Sequence, residues 1–369
     1  MSYAMDGRPG MGTALYTRKL IEQLLQDDRF EWCLVHFDKV DDPLYANVRE
    51  IIMPQVRLPF ATRFVRTLLF FWRYHHESFD VIHWFQPRLY PFFWLAPARH
   101  IVVTAHGAGD ITALGEFPLS RRMFNAVMKY GNRFIAAVIA VSEFGKEEIV
   151  EHYHVPASKV FVTYNGGSEG YTPLAKDEAR RRMSAQYGIS TPFILDVSRL
   201  EPHKNVAMLV EAYELLRHQH PVSHQLVVAG RKGYEAERTL ELAQRSAYSA
   251  DIRFLNYVAP EDLNALYAAA DLFVFPSLNE GFGLPLVEAF ASGTPVITST
   301  VTALPEVSGD AAVLVDPTSK AALTEAMYRV LSDKSLYAQL VERGLARAKE
   351  FTWQKTARAT ADIYRILLT

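Results

Sequence analysis

The chain has little of several features that mark common protein classes. It contains a single cysteine, Cys33, so no disulfide can form within it, and this thiol is expected in the core because it stands in a strand-like run. No apolar run is long enough to cross a membrane, and the N-terminal MSYAMDGRPG lacks the basic-then-apolar pattern of a signal sequence. These absences favour a protein that works in the cytoplasm.

Excess charge and metal-binding patterns are also missing. The net charge of −2 gives no general reason to expect a nucleic-acid partner. The histidines outside the strand-like runs are scattered without the spacing of a zinc site, so no zinc site is expected. With 369 residues and 49% hydrophobic residues, the chain exceeds what one core usually supports, so two domains are expected.

Apolar, β-rich runs recur along the chain, and most are followed by a helical pattern. Near-continuous Val, Ile and Leu indicate strands covered on both faces, so the fold class is α/β with two doubly wound parallel sheets. A Gly-rich stretch at 165–173 separates domain 1–170 from domain 171–350, and we expect two Rossmann-like domains facing each other across a cleft. The runs are WCLVHF (32–37), DVIHWF (80–85), HIVVTAH (100–106), AAVIAVS (136–142), VFVTYNG (160–166), FILDVS (193–198), HQLVVAG (224–230), IRFLNYV (252–258), DLFVFPS (271–277), PVITST (295–300) and AAVLVDP (311–317).

The segment EGFGLPLVE (280–288) is the most informative part of the sequence about the chemistry of a binding site. It follows a strand-like run and opens a helix at Pro285, so its backbone amides suit a phosphate oxygen at the helix N-terminus. The carboxylates of Glu280 and Glu288 would repel phosphate and are better explained as acceptors for hydroxyl groups. A ligand with phosphate and polyol character, such as a nucleotide sugar, is expected, and a solvated surface loop is the alternative. The residues of the turn itself are Gly281, Phe282, Gly283 and Leu284.

Two cations lie on one strand-to-helix loop, VSRLEPHKN (197–205). The guanidinium of Arg199 suits two phosphate oxygens at once, and the ammonium of Lys204 adds a compact positive charge. Ligands of doubly wound sheets sit beyond the carboxyl ends of the strands, where this loop and EGFGLPLVE are both expected. Diphosphate binding is therefore favoured over a solvated charge cluster.

Weaker candidates stand at other strand or helix ends. Gly12 lies in a glycine-rich turn before a helix and could approach a phosphate held by the second domain, although a plain tight turn is the alternative. His106 ends a strand among small residues, with room for a substrate, although taken alone it is more typical of a structural histidine. Tyr257 and Val258 close a strand where a base could stack on the ring or bond to the backbone, or where the ring simply covers the sheet edge.

The chain resembles retaining glycosyltransferases of the GT-B fold, specifically glycosyltransferase family four. The matching segments are GMGTALYTRKL, AAVIAVSEFGKEEI, YNGG, VSRLEPHKN, NEGFGLPLVEAFASGTPVITSTVTALPEV and FTWQKTARATADIY. The resemblance implies that Arg199 and Lys204 hold the donor diphosphate, that Glu288 holds the nucleotide ribose, and that Glu280 with the amides of Phe282 and Gly283 meets the donor sugar. It also implies that Gly12 approaches the distal phosphate, that His106 lies at the sugar, and that a C-terminal helix, 351–369, returns to the first domain.

Two positions depart from the family pattern. Many members carry His-Asp where this chain has His106-Gly107, and Asn-Gly-Val-Asp where it has Asn165-Gly166-Gly167-Ser168. Both positions lie on the acceptor side or its hinge, so the resemblance specifies the donor half better than the acceptor half.

The resemblance further implies same-face transfer of a mannose-type or glucose-type hexose, from a GDP- or UDP-linked donor, to a glycan or lipid-linked acceptor in cell-surface polysaccharide synthesis such as that of lipopolysaccharide. On the first-domain side near His106, the sequence offers no carboxylate nucleophile except Asp110, which is a poor choice. In the implied mechanism the cations replace a metal ion, which agrees with the absence of an Asp-x-Asp pair, so no metal ion is expected. The alternatives are a non-catalytic nucleotide-sugar-binding subunit and a sugar-nucleotide epimerase on the same architecture. Release of nucleoside diphosphate only in the presence of an acceptor separates transfer from epimerisation.

A basic and aromatic stretch, 59–76, suggests either a membrane contact or a core helix. At helical spacing Phe60, Phe64, Leu68 and Phe71 share one face, while Arg66 and Arg73 fall on the other with Arg63 at the border. Such helices bind anionic membrane surfaces. We expect this segment to pack its apolar stripe on the first-domain sheet, with peripheral contact at the inner face of the membrane as the alternative.

Overall fold

The computed structural model describes residues 12–39, 42–56, 62–85, 92–107, 127 and 130–369. The chain forms two compact units. The first is Met1–Gly166 together with Trp353–Thr369, and the second is Gly167–Thr352. The C-terminal helix, Trp353–Leu368, therefore belongs to the first unit, where it packs against the helix Gly12–Leu24.

The first unit holds two parallel sheets within its described residues. A two-stranded sheet pairs β1 with β2, and a four-stranded sheet has the order β3-β4-β5-β6. The strands are β1 (Cys33–His36), β2 (Arg49–Ile52), β3 (Phe79–Trp84), β4 (Ala98–Ala105), β5 (Ala137–Ala140) and β6 (Val160–Val162). The helices described here are Gly12–Leu24, Thr62–Arg73, Glu143–Tyr153 and Trp353–Leu368. All four residues of β5 are buried, as expected for a strand covered on both faces.

The second unit is one six-stranded parallel sheet with the order β12-β11-β10-β7-β8-β9. The strands are β7 (Phe193–Val197), β8 (Gln225–Ala229), β9 (Ile252–Leu255), β10 (Leu272–Phe275), β11 (Val296–Ser299) and β12 (Ala312–Val315). The helices are Lys176–Tyr187, Val206–Gln219, Ala236–Arg245, Pro260–Ala269, Leu284–Ala291, Leu304–Ser308, Lys320–Ser332 and Lys334–Ala348. The chain winds outward from β7 to β9 and then returns to β10, so the direction of winding reverses between β7 and β10.

The prediction of an α/β fold with parallel, doubly wound sheets is confirmed. Each apolar run in the sequence overlaps a strand of the structure. One strand was missed, β2, because Arg49 and Glu50 leave only two apolar residues in it. No helix among the described residues is both long enough and apolar enough to cross a membrane.

The helix Thr62–Arg73 corrects one part of the interpretation of 59–76. Arg66 was assigned to the polar face, but it is buried, and its guanidinium pairs with Asp38 at 3.0 Å and donates to the carbonyl of Pro54 at 3.0 Å. Phe70 and Phe71 are buried in the same core. The helix thus packs on the first unit, and Arg66 faces the interior; Phe60 lies outside the described residues.

Candidate functional site

The two loops singled out in the second unit lie side by side because β7 and β10 are neighbours in the sheet. The loop after β7 is bonded directly to the loop after β10: the amide of Leu278 donates to the carbonyl of His203 at 2.7 Å, and the side-chain amide of Asn205 donates to the carbonyl of Pro276 at 3.1 Å. Both loops stand at the carboxyl ends of their strands, at the point where winding reverses. Open α/β sheets bind their ligands there.

Lys204 and Glu280 form an ion pair between these loops. Only 18% of the Lys204 side chain and 13% of the Glu280 side chain are exposed, so the pair is well shielded from water. The ammonium also lies 5.3 Å from the centre of the Phe275 ring. The amide of Glu280 donates to the hydroxyl of Thr302 at 3.2 Å, which fixes this loop to the one after β11. The pair therefore holds a preorganised cation beside a carboxylate.

Arg199 lies on the same loop but is much more accessible. Its side chain is 58% exposed, and its guanidinium lies 3.1 Å from the carboxylate of Glu201. The loop is held against the end of β8, where the amide of Leu200 donates to the carbonyl of Arg231 at 3.0 Å. Gly230 permits that approach, since a Cβ there would lie 1.9 Å from the carbonyl oxygen of Ser198. Arg199 is thus anchored through its backbone and presents its charge to solvent.

The glycine turn opens a helix as the sequence predicts. Gly283 has φ +96°, a left-handed conformation that favours glycine, and the helix Leu284–Ala291 follows with Pro285 in its first turn. Phe282 is buried with its ring centre 5.5 Å from that of Phe351, while Gly281 is half-buried. Amide groups at the start of this helix provide a positive end that suits an anion.

Glu288 differs in environment from Glu280. It lies on the helix Leu284–Ala291, its side chain is buried, and its carboxylate accepts a hydrogen bond from the hydroxyl of Tyr267 at 2.8 Å. The Tyr171 ring lies edge-on to that of Tyr267, with centres 5.9 Å apart. Burial raises the pKa of Glu288, while the hydroxyls of Tyr267 and Tyr171 oppose that shift. Glu288 is a hydroxyl acceptor, and in this structure its hydrogen-bond donor is Tyr267.

Asp196 was missed in the sequence. It is fully buried at the end of β7, where the hydroxyl of Ser198 donates to one carboxyl oxygen at 2.5 Å. Within the described residues the other oxygen has no hydrogen-bond partner. Burial raises the pKa of Asp196 to about 7, while Ser198 and Lys204 oppose the shift. An aspartate inside the apolar run FILDVS was the signal that could have revealed it.

Tyr257 and Val258 follow β9, at the outer edge of the sheet. The Tyr257 side chain is 55% exposed, and the guanidinium of Arg231 lies 5.1 Å from its ring centre. Val258 is buried. The winding reverses between β7 and β10, and β8 and β9 follow β7 toward one edge of the sheet. Tyr257 and Val258, after β9, therefore lie nearer to that edge than Arg199, which follows β7. The ring offers a flat, partly exposed surface of the kind that stacks on a base.

Gly12 and His106 belong to the first unit. Gly12 is the first residue of the helix Gly12–Leu24, and His106 follows β4 directly. Tyr16, on that helix, connects them: its ring meets His106 edge-on with centres 4.7 Å apart, and it also meets Trp353 at 5.8 Å. The Nε2 atom of His106 lies 3.2 Å from the carbonyl of Phe85. The structure thus brings the helix of Gly12 and His106 together through Tyr16, which the sequence did not single out.

A buried polar chain lies beneath His106. The hydroxyl of Tyr364 is 2.5 Å from Nδ1 of His83, whose Nε2 is 2.8 Å from the hydroxyl of Thr104. The hydroxyl of Tyr16 is 3.4 Å from the same Thr104 oxygen. Burial holds the pKa of His83 well below its usual value, because the charged ring would lose its hydration. This series of hydrogen-bonded side chains links the C-terminal helix to the end of β4.

We expect His83 to make folding stability depend on pH below about 7. In the unfolded chain a histidine titrates near 6.5, whereas folded His83 resists protonation, so the unfolded state binds more protons as pH falls and stability decreases. The limit for one group is about 1.4 kcal/mol per pH unit. Denaturant unfolding at pH 5, 6, 7 and 8 should show a shallower loss for His83→Asn. His203 and His224, whose pKa values are also lowered, remain in both proteins, and identical pH dependence would contradict the assignment.

No group of three or more His, Cys, Asp or Glu side chains is placed to hold a metal ion in the part of the chain that the structure describes.

Comparison with protein families gives two matches. Residues 179–347 match the family described as Glycosyl transferases group 1, and residues 11–167 match Glycosyltransferase Family 4. Together the two matches extend over both units.

Among curated relatives, the chain is 36% identical over 230 residues to "O-antigen chain mannosyltransferase B" of Escherichia coli, covering 62% of this chain and 60% of that protein. It is 31% identical over 235 residues to "Serotype-specific mannosyltransferase WbdA" of Escherichia coli, covering 63% of this chain and 29% of the relative. The chain thus covers less than two thirds of the length of these relatives.

Among solved structures, the protein Alr3699/HepE of Anabaena, in complex with UDP and glucose, superposes with a TM-score of 0.76 at 21% identity, covering 96% of each chain. Sucrose-phosphate synthase (tll1590) of Thermosynechococcus elongatus superposes with a TM-score of 0.73 at 24% identity, covering 97% of this chain and 94% of that one. At these identities the likeness concerns the fold.

Proposed function

Since the chain belongs to glycosyltransferase family four and has the GT-B fold class, we propose that it transfers a hexosyl group from a nucleotide-diphosphate sugar to a hydroxyl group of a glycan or lipid-linked acceptor. The observation that carries this proposal is the shielded Lys204–Glu280 pair, set between the loops after β7 and β10 with Arg199 exposed beside it. That arrangement offers cations for a diphosphate and a carboxylate for sugar hydroxyls in one place.

We infer that the sugar is mannose and the donor GDP-mannose. The support is that two relatives are named as mannosyltransferases, one of them of O-antigen chains. Synthesis of a cell-surface polysaccharide is the corresponding role. A UDP-hexose is the second donor, supported by the Anabaena protein solved with UDP and glucose. If the acceptor is lipid-linked, exposed Trp72 and Arg73 on the helix Thr62–Arg73 are suited to a membrane surface.

Each donor-side residue then has a distinct role. The guanidinium of Arg199 leaves the carboxylate of Glu201 and binds a phosphate oxygen instead. The ammonium of Lys204 interacts with both the diphosphate and Glu280. Glu280 accepts from sugar hydroxyls, beside the amides of the turn Gly281–Leu284. Glu288 accepts from the ribose, whose hydroxyl takes the place now held by a tyrosine. Tyr257 and Val258 flank the base, and in the first unit the turn at Gly12 and His106 serve the distal phosphate and the sugar.

The proposed reaction retains the configuration of the anomeric carbon and needs no metal ion. The acceptor oxygen attacks from the face that the diphosphate leaves, the bond to the diphosphate breaks, and a diphosphate oxygen receives the proton of the acceptor hydroxyl. Arg199, Lys204 and the start of the helix Leu284–Ala291 stabilise the negative charge that develops on the leaving group. The protein contributes position and electrostatics rather than a covalent intermediate.

The test is a transfer assay with GDP-mannose and a mannose-terminated oligosaccharide, with and without EDTA. We expect GDP to be released only when the acceptor is present, an α-linked product from the α-linked donor by NMR, and unchanged rates in EDTA. Binding of GDP without turnover of any donor would support a non-catalytic subunit instead. Conversion of the donor without acceptor, and without GDP release, would support an epimerase, and a β-linked product would contradict retention.

A further inference from the structure

The loop after β8 carries an arginine beside the proposed donor site. Arg231 is exposed, and its guanidinium lies over the ring of Tyr257, 5.1 Å from the ring centre. A cation over an aromatic face is attracted to it electrostatically. Because β8 lies between β7 and β9 in the sheet, this loop stands between Arg199, after β7, and Tyr257, after β9. A nucleotide with its diphosphate at Arg199 and its base at Tyr257 must therefore pass Arg231.

Hydrogen bonds fix the backbone of this loop on both sides. On the side of β7, the carbonyl of Arg231 accepts from the amide of Leu200 at 3.0 Å, and the amide of Gly233 donates to the carbonyl of Leu200 at 3.1 Å. On the side of β9, the amide of Gly230 donates to the carbonyl of Leu255 at 2.8 Å. The side chain of Arg231 thus extends from a defined backbone position.

The N–H donors of the Arg231 guanidinium are uncommitted. Within the described residues it forms neither an ion pair nor a hydrogen bond, whereas the other Arg and Lys side chains of the loops after β7 and β8 are each paired with a carboxylate. These pairs are Arg199 with Glu201 at 3.1 Å, Lys204 with Glu280, and Lys232 with Glu237 at 3.6 Å. A planar fork of donors beside an aromatic ring suits a ligand that offers two adjacent acceptors.

Guanine is the base that offers such a pair of acceptors. Its N7 and O6 atoms lie next to each other on one edge, and a single arginine can donate to both. Adenine has an amino group in place of O6, so a donor would face the donors of the guanidinium. Uracil presents only the O4 carbonyl on the corresponding edge, beside a C–H group. A base beside Tyr257 therefore meets the guanidinium of Arg231 most favourably when it is guanine.

We propose that Arg231 selects the base of the donor by donating two hydrogen bonds, to N7 and O6 of guanine. This inference rests on the proposed function and extends it, since it assigns the choice of GDP over UDP to one side chain. The ring of Tyr257 supports the guanidinium. Arg199 and Lys204 bind the diphosphate, which both kinds of donor share, so they contribute affinity and Arg231 contributes selectivity.

The test is calorimetric titration of the full chain with GDP, UDP and 7-deaza-GDP, in which a C–H group replaces N7 of the base. The variants are Arg231→Ala and Arg231→Lys, of which the second keeps the charge but not the planar fork of donors. Lys232→Ala is the matched control, because it removes a neighbouring exposed cation. The melting temperature of each variant shows whether it is folded.

We expect the parent chain to bind GDP about tenfold or more tightly than UDP, and also more tightly than 7-deaza-GDP, because a bidentate contact discriminates between bases by about that factor. Arg231→Ala should lose this preference for GDP over UDP and bind GDP and 7-deaza-GDP equally. Arg231→Lys should restore at most part of the preference, and Lys232→Ala should behave as the parent does.

Three results would overturn the assignment. If Arg231→Ala weakens GDP and UDP binding equally, the guanidinium binds phosphate and does not contact the base. If the parent binds both nucleotides and the Arg231 variants keep its ratio of affinities, another group selects the base, while the proposed transfer function stands. If the parent binds neither nucleotide, the proposed function fails together with this inference.

Discussion

Glu280→Gln is expected to reduce turnover by about 100-fold or more while leaving the affinity for nucleoside diphosphate within about threefold. The substitution keeps the size of the side chain and an oxygen that can accept from Lys204, but it removes the charge at a shielded position. Removing one preorganised electrostatic group from an active site typically costs two to three orders of magnitude in rate. The measurement is kcat with GDP-mannose, together with titration of GDP by calorimetry.

Two matched variants sharpen this test. Glu211→Gln removes a carboxylate from an exposed ion pair with Lys320 in the same unit and should leave both quantities unchanged. Glu288→Ala should instead weaken nucleotide binding by about tenfold, because it removes a charged hydroxyl acceptor inside the helix. Equal effects of the Glu280 and Glu288 substitutions on GDP affinity would contradict the division of roles between the two carboxylates.

Replacing Arg199 and Lys204 together by alanine is expected to weaken nucleoside diphosphate binding by about 100-fold or more. A charge-assisted bond to phosphate contributes on the order of 2 kcal/mol at a shielded site such as that of Lys204, which corresponds to about 30-fold, and the exposed Arg199 adds a smaller share. Arg199 is the more exposed of the two, so its share should decrease more strongly with added salt. Calorimetric titration of GDP at low and high salt measures both effects.

The control for charge alone is Lys320→Ala, since Lys320 is exposed on the same unit and pairs only weakly with Glu211 at 3.3 Å. Lys204→Ala leaves Glu280 without its cation, so the melting temperature of each variant must be measured alongside affinity. If the double variant is folded and binds GDP as the parent does, the phosphate assignment is wrong. Loss of GDP binding together with a collapsed melting transition would indicate unfolding instead.

Much of the fold could be predicted from the sequence because parallel strands buried on both faces read as continuous apolar runs. β2 was missed because its pairing with β1, rather than its own composition, makes it a strand. Arg66 was misassigned for a related reason. A helical projection places it opposite Phe64, yet its buried guanidinium donates hydrogen bonds to Asp38 and to the carbonyl of Pro54. Partners so distant in the chain leave no signal in the local sequence.

The two loops proposed to bind the donor, after β7 and β10, were predicted more completely than their surroundings. Glycine spacing, Pro285 and the positions of the charges are local, so the turn and the helix after it could be inferred. The pairing of Lys204 with Glu280 needed the adjacency of β7 and β10, which only the reversal of winding provides. Tyr267 was not singled out as the hydrogen-bond donor to Glu288, because it lies on a different helix, Pro260–Ala269.

The burial of Asp196 lowers the folding stability of the protein near neutral pH. One oxygen of this carboxyl group at the end of β7 has no hydrogen-bond partner among the residues that the structure describes, and burial raises its pKa to about 7. Near neutral pH, folding therefore opposes the ionisation that the unfolded chain prefers. Thr302 adds a left-handed backbone at φ 60° in the neighbouring loop. Asp196 and Thr302 therefore both lower the free energy of unfolding, and they do so beside the loops proposed to bind the donor, where buried polar groups and strained backbone are commonly found.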